Sequence, residues 1–450
     1  ECPEVHQHDR LGASMNRAGE AAVKATDRAA VTPGSAGSGR WLVLAFLVGI
    51  TVINFIDRQT LSVLAPKIRE LLHLSHEAYG RIVAAFQFGM MSGEFPMGWL
   101  MDRWGVRVGL GFAVLWWSVA TGLHGFARSG FDLGLLRFWM GTGECGNFSG
   151  GVKTVNEWFP RTERALAIGI FNSGTMIGSI IAPPLVVFRA RHYGDRYAFR
   201  VPAILGACWV PLWWRCYGSI SKLNPLHTSS TGEHSVRQSS WALLRYRQSW
   251  AVMACRFLVG PVLQFYWYWM PDYLYTVRGL SLRDIGAFSW IPFLMGDLGS
   301  ISGGWAAGLL LRRNFSAKQA RQITMYAGAF LCLASFAVYF VPTVPEALGV
   351  IGIVLFGHTF LSANMFASVT DMFPDNAVGR ATGLHGICGG LSGFLFPLLT
   401  GFLVDRFSYS PVFALAAVMP LAGTIALFTV SKGLQPVSFT DNNSLRGSTN

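Results

Sequence analysis

Apolar residues along this chain are gathered into long stretches that are separated by short polar segments. Each stretch is close to the roughly 20 residues that a helix needs to cross about 30 Å of hydrocarbon. Twelve of them predict transmembrane helices at residues 41–64, 80–101, 106–126, 131–153, 164–188, 198–217, 249–275, 284–311, 322–341, 346–370, 378–403 and 409–430. The pattern therefore predicts an all-α membrane protein.

Short similarities between the two parts of the chain indicate an internal duplication. The pair Leu-Ser at 74–75 and the following Gly80 recur as Leu-Ser at 280–281 and Gly286. We therefore expect two pseudo-symmetric six-helix halves, an architecture that places a binding site between the halves near the middle of the membrane. The predicted organisation is a disordered cytoplasmic tail (1–40), a first half (41–217), a cytoplasmic linker (218–248), a second half (249–430) and a second cytoplasmic tail (431–450).

The composition supports a membrane protein and argues against the soluble classes. Charged residues make up 13% of the 450 residues, about half of the ~25% found in soluble domains. Hydrophobic residues make up 52%, and the mean hydropathy is +0.38. A soluble enzyme, a nucleic-acid-binding protein and a disordered scaffold are therefore excluded.

The basic balance of the chain agrees with a membrane topology. The formal charge is +12, and with both termini in the cytoplasm the cytoplasmic segments hold 20 lysines and arginines against 10 on the other side. Cytoplasmic loops of membrane proteins carry such an excess. We therefore expect a multi-pass protein of the cell inner membrane with cytoplasmic termini and no nucleic-acid partner.

Catalytic and metal-binding patterns are not found in the sequence. The seven cysteines form no Cys-x-x-Cys pair, so no metal site or disulfide framework is predicted. There is no Gly-x-Ser-x-Gly, His-Glu-x-x-His or P-loop motif. We therefore expect neither an enzyme nor a protein with a bound cofactor.

Two motifs resemble those of a known family. Residues 98–107 read Gly-Trp-Leu-Met-Asp-Arg-Trp-Gly-Val-Arg, and residues 137–143 read Arg-x3-Gly-x-Gly. Both resemble motifs of the major facilitator superfamily. Within it, the chain looks most like the hexuronate transporters of the anion:cation symporter family. The stretches that carry this resemblance are 54–62, 143–148, 157–160, 171–174, 278–282, 290–293, 297–300 and 364–366.

The resemblance implies symport of a hexuronate such as glucuronate or galacturonate, coupled to protons and driven by alternating access. Its partners would be a small anionic substrate, protons and the lipid bilayer, and we expect a monomer. The alternative is a carrier or exporter of another organic anion, such as an aldonate, glucarate or another carboxylate. A third interpretation is a membrane sensor that does not transport.

Four charged residues inside the predicted spans are the leading candidates for the site, because a charge at a span centre costs at least ~2.5–3.5 kcal/mol. Asp57 and Arg58 lie on the first span, and Arg137 and Glu144 lie on the fourth. Seven residues make two helical turns, so Arg137 and Glu144 face the same way about 10.5 Å apart. A neighbouring helix could present Asp57 or Arg58 between them.

The chemistry of these groups suits a proton-coupled anion carrier. We expect Arg58 and Arg137 to bind the substrate, because a guanidinium forms a planar fork that matches a carboxylate. We expect Glu144 and Asp57 to carry protons, since burial and a nearby arginine act in opposite directions on a carboxylate. The alternative is that the four residues form structural ion pairs between the first and fourth spans.

Other polar positions in the spans complete the predicted site. Gln87, Asn172 and Asn364 could hydrogen-bond the hydroxyls of a sugar, or could make amide contacts between helices. Tyr266, within the aromatic run 265–269, could stack on a sugar face or pack in the core. Asp297, His358 and His385 also lie in spans. For Asp297 we favour a pairing within the second half over a role as proton carrier, and for the two histidines we favour a satisfied hydrogen bond over a proton relay.

The short loop after the second span is the predicted gate. It holds Asp102, Arg103 and Arg107, which could close the cytoplasmic side through charge pairs and helix-end dipoles. The alternative is a solvated loop that only sets the topology.

Overall fold

The computed structural model describes residues 36–160, 163–221 and 240–437, and the regular elements within these ranges are helices. The first half contains α1 (Ala36–Leu71), α2 (His76–His124), α3 (Gly130–Trp158), α4 (Arg164–Tyr193) and α5 (Asp195–Ser221). The second half contains α6 (Arg247–Thr276), α7 (Leu282–Phe288), α8 (Ile291–Arg312), α9 (Ala317–Cys332), α10 (Val344–Met372), α11 (Asp375–Phe407) and α12 (Ser410–Val430). Short 3₁₀ helices precede α6 and continue α9.

The helices account for the twelve predicted spans, although two spans are joined and one is divided. Helix α2 has 49 residues and contains the second and third spans, which meet at Gly105 with φ 74° and ψ 162°. Only glycine adopts this conformation without strain, so the chain can reverse there. The predicted span 284–311 is divided between α7 and α8. Seven of the described helices are long and apolar enough to cross a membrane by length and composition alone.

The repeated sequence elements occupy equivalent places in the two halves. Ser75 and Ser281 both precede a helix, α2 and α7 respectively, and the side chain of each accepts a hydrogen bond from a backbone N–H of the first turn. Gly80 then packs against the carbonyl of Pro397 on α11, and Gly286 packs against Val187 on α4. Each glycine therefore supports the contact of its own half with the other half.

Helices within the first half pack closely where glycines face each other. A methyl group at Gly89 of α2 would collide with the carbonyl of Phe138 on α3, and one at Gly141 of α3 would collide with the carbonyl of Phe86 on α2. Membrane helices commonly use small residues to approach each other in this way. The α2–α3 contact holds Arg137 and Glu144 in a fixed position relative to α2.

The two halves meet through α1 with α6, α2 with α11, and α4 with α7 and α8. The membrane face that holds the start of α1 and the end of α12 is called here the terminal face, and the other is called the far face. Among the described residues, four ionic side chains join the halves at the far face, and the hydroxyl of Tyr409 bonds one of them. We call these five residues the far-face network: Arg69, His76, Asp272, Asp405 and Tyr409.

The predicted tails and linker fall partly outside the described residues, which exclude 1–35, 222–239 and 438–450. Helix α1 already begins at Ala36, within the predicted tail 1–40, and Arg40 pairs with Glu163 at 3.2 Å. Beyond α12, the chain continues along the terminal face, where the backbone N–H of Val437 donates to the carbonyl of Met372 at 2.8 Å.

Candidate functional site

The four charged residues predicted from the sequence lie together in the first half. We call them the charge cluster: Asp57 and Arg58 on α1, and Arg137 and Glu144 on α3. Asp57 and Glu144 are each 1% exposed, and Arg137 is 2% exposed. The seven-residue spacing on α3 brings both of its charged side chains toward α1, as predicted.

Arg58 lies between the two charged residues of α3. Its Nε and Nη2 donate to Oε2 of Glu144 at 3.1 and 2.9 Å. Both terminal nitrogens of Arg137 lie 3.4–3.5 Å from the backbone carbonyl of Arg58. The ring of Phe86 is 5.2 Å from the Arg58 guanidinium carbon and 5.7 Å from that of Arg137. The aromatic ring thus holds the two cations near each other in a largely apolar environment.

The polar groups of the charge cluster are incompletely paired. Neither carboxylate oxygen of Asp57 has a hydrogen-bond partner among the described residues, and the same holds for Oε1 of Glu144 and Nε of Arg137. Arg137 forms no ion pair with a carboxylate in the described part of the chain. Buried polar groups are normally satisfied, so these open positions are where a ligand or a proton would have the largest effect.

A cavity of about 800 Å³ lies between the halves, next to the charge cluster. Its walls come from α2, α3, α6 and α11, and its volume falls within the roughly 300–1,000 Å³ typical of small-molecule sites. Gln87, Met90 and Cys145 line its inner end. The sulfur of Met90 is 4.0 Å from Nη2 of Arg58. Arg58 is therefore one contact away from the cavity wall.

The other predicted substrate-binding residues differ in whether they line the cavity. Gln87 lines the cavity, and Asn172 is half-buried on α4. Tyr266 is fully buried, with its hydroxyl 2.8 Å from Oγ of Ser335. Asn364 accepts from Arg321 at 2.9 Å and donates to two backbone carbonyls. In this conformation Tyr266 and Asn364 are held inside the second half and do not line the cavity.

The remaining polar residues of the spans lie in the second half. Nε2 of His358 is 3.0 Å from the carbonyl of Val259, the hydrogen bond that the sequence favoured, although its Nδ1 is buried without a partner among the described residues. His385 packs against the ring of Phe366 at 5.0 Å, and its buried Nε2 has no partner among these residues, so the favoured hydrogen bond is not found at this nitrogen. Asp297 lines a separate cavity of about 50 Å³, and its Oδ2 has no partner in the described part of the chain, so the expected pairing is not found at this oxygen.

The three predicted gating residues lie on the terminal face and interact within the first half. Asp102 pairs with Lys153 of α3 at 2.6 Å. Arg107 donates to the backbone carbonyl of Trp214 on α5 at 2.7 and 3.1 Å. The guanidinium of Arg103 lies 5.7 Å from the Trp99 ring. Among the described residues, these side chains do not bridge the two halves.

The far-face network bridges the halves instead. Nη1 of Arg69 is 2.8 Å from both carboxylate oxygens of Asp272, and the hydroxyl of Tyr409 donates to Asp272 at 2.5 Å. His76 lies 3.3 Å from Asp272 and 2.7 Å from Asp405. Among the described residues, the polar contacts between the halves join residues 62–79 to residues 267–275 and 405.

Asp405 also caps a helix of the opposite half. Its carboxylate accepts from the backbone N–H groups of His76 and Glu77 at 3.0 and 2.7 Å, at the start of α2. A negative charge is stabilised at a helix N-terminus by the unpaired N–H groups and the helix dipole. This structure is therefore closed at the far face, while the cavity extends toward the terminal face.

Two groups of residues were missed by the sequence reasoning. Arg256 is a charged residue within the apolar stretch 249–275 and lines the cavity. The criterion that selected Arg137, a charge inside a span, would also have selected it. The far-face network lies at the ends of spans, where charges are common, and its pairs are up to 329 positions apart. No local pattern identifies such pairs.

Comparison with known proteins agrees with this architecture. The family model described as Major Facilitator Superfamily matches residues 47–360 and 320–438. The hexuronate transporter of Escherichia coli strain K12 is 30% identical over 404 residues, which cover 87% of this chain and 94% of that protein. The D-galactonate transporter of Escherichia coli O6:H1 (strain CFT073) is 27% identical over 409 residues, which cover 87% of this chain and 95% of that protein.

A solved structure shares the fold at low sequence identity. It is the crystal structure of a bacterial homolog to the human lysosomal transporter Spinster, in an inward-facing and unoccupied conformation. The TM-score is 0.70 with 18% identity, and the match covers 88% of this chain and 96% of that chain.

Proposed function

This chain belongs to the Major Facilitator Superfamily, a family of membrane transporters and not of enzymes. On that basis we propose that it is a proton-coupled symporter of a sugar acid of the hexuronate type. The observation that carries this proposal is the charge cluster, in which two arginines and two carboxylates are buried beside a cavity between the halves. Glucuronate and galacturonate are the leading substrates, because the hexuronate transporter is 30% identical over most of both chains.

The charge balance of the cluster couples anion binding to protonation. With both carboxylates ionised, Asp57 and Glu144 neutralise Arg58 and Arg137. A substrate carboxylate entering this state would leave an uncompensated negative charge in an apolar environment, which is costly. If one carboxylate first takes up a proton, the cluster has one surplus positive charge, and the substrate anion neutralises it. A monoanion would therefore enter together with one proton.

Glu144 is the proposed coupling residue, because it competes with the substrate for Arg58. In this structure the planar fork of Arg58 is occupied by Oε2 of Glu144 at 2.9 and 3.1 Å. Protonation of Glu144 would weaken this pair and free the fork for a substrate carboxylate. Loss of the proton would restore the pair and displace the substrate. Asp57, which is buried and has no hydrogen-bond partner among the described residues, is the second candidate proton carrier.

Alternating access would use the two faces of the molecule. We propose that the terminal face is cytoplasmic, as the distribution of basic residues predicts, and that this structure corresponds to a state open toward the cytoplasm. The far-face network would separate when the protein opens outward. Asp102, Arg103 and Arg107 would then act at the terminal face, through the packing of α2 against α3 and α5.

The sugar hydroxyls need polar partners in addition to the charge cluster. Gln87 is the proposed partner that already lines the cavity. Asn172, Tyr266 and Asn364 would contribute only after the halves move, because Tyr266 and Asn364 are hydrogen-bonded within the second half here. An aldonate is the second candidate substrate, since the D-galactonate transporter is 27% identical over most of this chain.

The experiment that tests the proposal is uptake into proteoliposomes. The purified protein would be supplied with labelled D-glucuronate, D-galacturonate or D-galactonate, with and without an acidic exterior. We expect accumulation of a hexuronate that depends on the pH gradient. If no sugar acid is taken up, or if uptake does not depend on the pH gradient, the proposed symport is wrong.

The coupling role is tested with a matched pair of variants. Glu144→Gln imitates the protonated side chain, so it should still exchange substrate across the membrane but should not accumulate it against a gradient. Asp297→Asn removes another membrane carboxylate that lies away from Arg58 and should retain pH-driven accumulation. Full accumulation by Glu144→Gln would exclude Glu144 as the coupling site and would direct the test to Asp57.

A further inference from the structure

Two arginines line the cavity, Arg256 and Arg380, and both lie on the half opposite the charge cluster. Arg256 is on α6, nine residues after its first residue, and lines the cavity together with Gln264 of the same helix. It is half-buried. A cation therefore lies in the cavity wall on the second half, while the arginines of the charge cluster lie next to the cavity on the first.

Arg256 has no anionic partner in the described part of the chain. It forms no ion pair there, and its Nε is buried without a hydrogen-bond acceptor. Its guanidinium carbon lies 5.4 Å from the centre of the Phe366 ring, a contact that orients the cation but does not neutralise it. An uncompensated buried charge is costly, so a residue of this kind in a cavity wall indicates a place for an anion.

The helix opposite Arg256 leaves room for its side chain. A methyl group placed on Gly389 of α11 would lie only 2.5 Å from Nε of Arg256. One on Gly393 would lie 2.8–2.9 Å from the amide of Gln264. The oxygen of the Gln264 amide is buried and also has no hydrogen-bond partner within the described ranges. Two glycines one turn apart therefore accommodate two polar side chains that both have unused hydrogen-bonding groups.

A short series of contacts connects Arg256 to the charge cluster. Arg256 packs on Gly389, and the adjacent Gly390 faces Met91 of α2, with 3.4 Å to Cγ from a methyl group placed on the glycine. The adjacent Met90 contacts Arg58 at 4.0 Å. The contact between α2 and α11 thus lies between the residue that contacts Arg58 and the residue that packs on Arg256.

Another charged residue of the cavity wall must be considered. Glu94 of α2 lines the same cavity and is exposed. It forms no ion pair with Arg256 in this structure. A pairing of these two residues on closure of the terminal face is a competing role for Arg256, and it predicts an effect on transport of every substrate.

We propose that Arg256 binds a second anionic group at the distal end of the substrate, so that a six-carbon dicarboxylate sugar acid binds more tightly than the hexuronates that sequence similarity favours. This inference rests on the proposed function, because it assumes that one carboxylate occupies Arg58 and Arg137. The second carboxylate would accept charge-assisted hydrogen bonds from the Arg256 fork, whereas a hydroxyl or aldehyde at that end would form only neutral ones. Gln264 would bind the hydroxyls between the two ends.

Three probes with the same carbon skeleton test the inference. D-Glucuronate and D-gluconate each carry one carboxylate, at opposite ends, and D-glucarate carries both. By titration calorimetry on the purified protein, D-glucarate should bind at least tenfold more tightly than either monocarboxylate. In Arg256→Gln that preference should disappear, while the affinity for D-glucuronate should change by less than threefold.

Two further variants keep the result unambiguous. Arg247→Gln removes a half-buried arginine at the start of the same helix, where it contacts Gln435 outside the cavity, and should keep the preference. Arg256→Lys retains the charge without the fork, so it should reduce the preference without abolishing it. This variant provides the same test if Arg256→Gln does not fold.

The outcomes separate this inference from the proposed function. If none of the three sugar acids binds the wild-type protein, the proposed function fails. If the monocarboxylates bind and D-glucarate binds no more tightly, the role of Arg256 is refuted while the proposed function stands. If Arg256→Gln loses affinity for all three probes equally, and if it and Glu94→Gln both slow the transport of every substrate, Arg256 would be assigned to closure of the terminal face.

Discussion

The far-face network gives a prediction about the conformational equilibrium. Asp272 is fully buried. Its carboxylate lies 2.8 Å from Nη1 of Arg69 and 3.3 Å from Nε2 of His76, and both residues belong to the opposite half. Asp272→Asn keeps the size of the side chain and removes its charge. Because both cross-half contacts exist only while the far face is closed, their loss acts on the equilibrium between the closed and open far face.

The magnitude follows from the burial of the pair. Removing one partner of a buried ion pair costs about 3–5 kcal/mol. Asparagine retains a weak acceptor for Arg69, and the Arg69 side chain is 12% exposed, so the lower limit of about 3 kcal/mol applies. At about 1.4 kcal/mol per tenfold change, the ratio of molecules open at the far face to molecules closed there should rise more than about 100-fold.

The assay measures access to a residue beneath the network. Ser62 is buried, and its hydroxyl donates to the carbonyl of Trp267 in the second half at 2.5 Å. In a background without the seven native cysteines, a Ser62→Cys reporter would be labelled with a membrane-impermeant maleimide from the far side. The labelling rate should rise at least tenfold in Asp272→Asn.

A control on the same face fixes the interpretation. Lys67 and Asp195 form a 2.8 Å ion pair at the far face, but both belong to the first half. Asp195→Asn removes a comparable charge pair and should leave the labelling rate of the reporter unchanged. Equal labelling in the two variants, or no increase in Asp272→Asn while its thermal stability is normal, would refute the assignment of the network to far-face closure.

Two further predictions concern substrate binding by Arg137 and the predicted gate. Arg137→Lys keeps the charge and loses the fork, so the affinity for D-glucuronate should fall at least tenfold, about 1.4 kcal/mol; calorimetry that gives wild-type affinity would exclude substrate binding by the Arg137 fork. Asp102→Asn breaks the 2.6 Å pair with Lys153 and should slow net uptake while leaving substrate binding intact, because it perturbs the conformational equilibrium and not the site. Loss of binding with unchanged cysteine accessibility on both faces would contradict the gating role.

The sequence by itself determined the class of protein and the order of its helices. Hydrophobicity acts over about 20 consecutive residues, so each span could be recognised without knowledge of its neighbours. The charged residues of α1 and α3 were also visible, because a charge inside an apolar stretch is rare and costly. The seven-residue spacing of Arg137 and Glu144 was enough to predict that both face one neighbour.

Only the tertiary structure decided which polar groups meet. The sequence could not say that Arg58 pairs with Glu144 while Asp57 has no partner in the described part of the chain, since adjacent residues on α1 point in different directions. It also could not separate Gln87, which lines the cavity, from Tyr266 and Asn364, which are bonded within the second half. The rotation of each helix about its axis is set by packing against its neighbours.

The contacts between the halves depended most strongly on the three-dimensional arrangement. Asp405 caps α2 although 329 positions separate it from His76, and Arg256 lines the same cavity as Gln87 of the opposite half. Hydropathy and helical periodicity describe single segments, whereas these contacts depend on how two six-helix bodies are oriented toward each other. Charges near span ends are common in any membrane protein, so their pairing is decided by the packing of the halves.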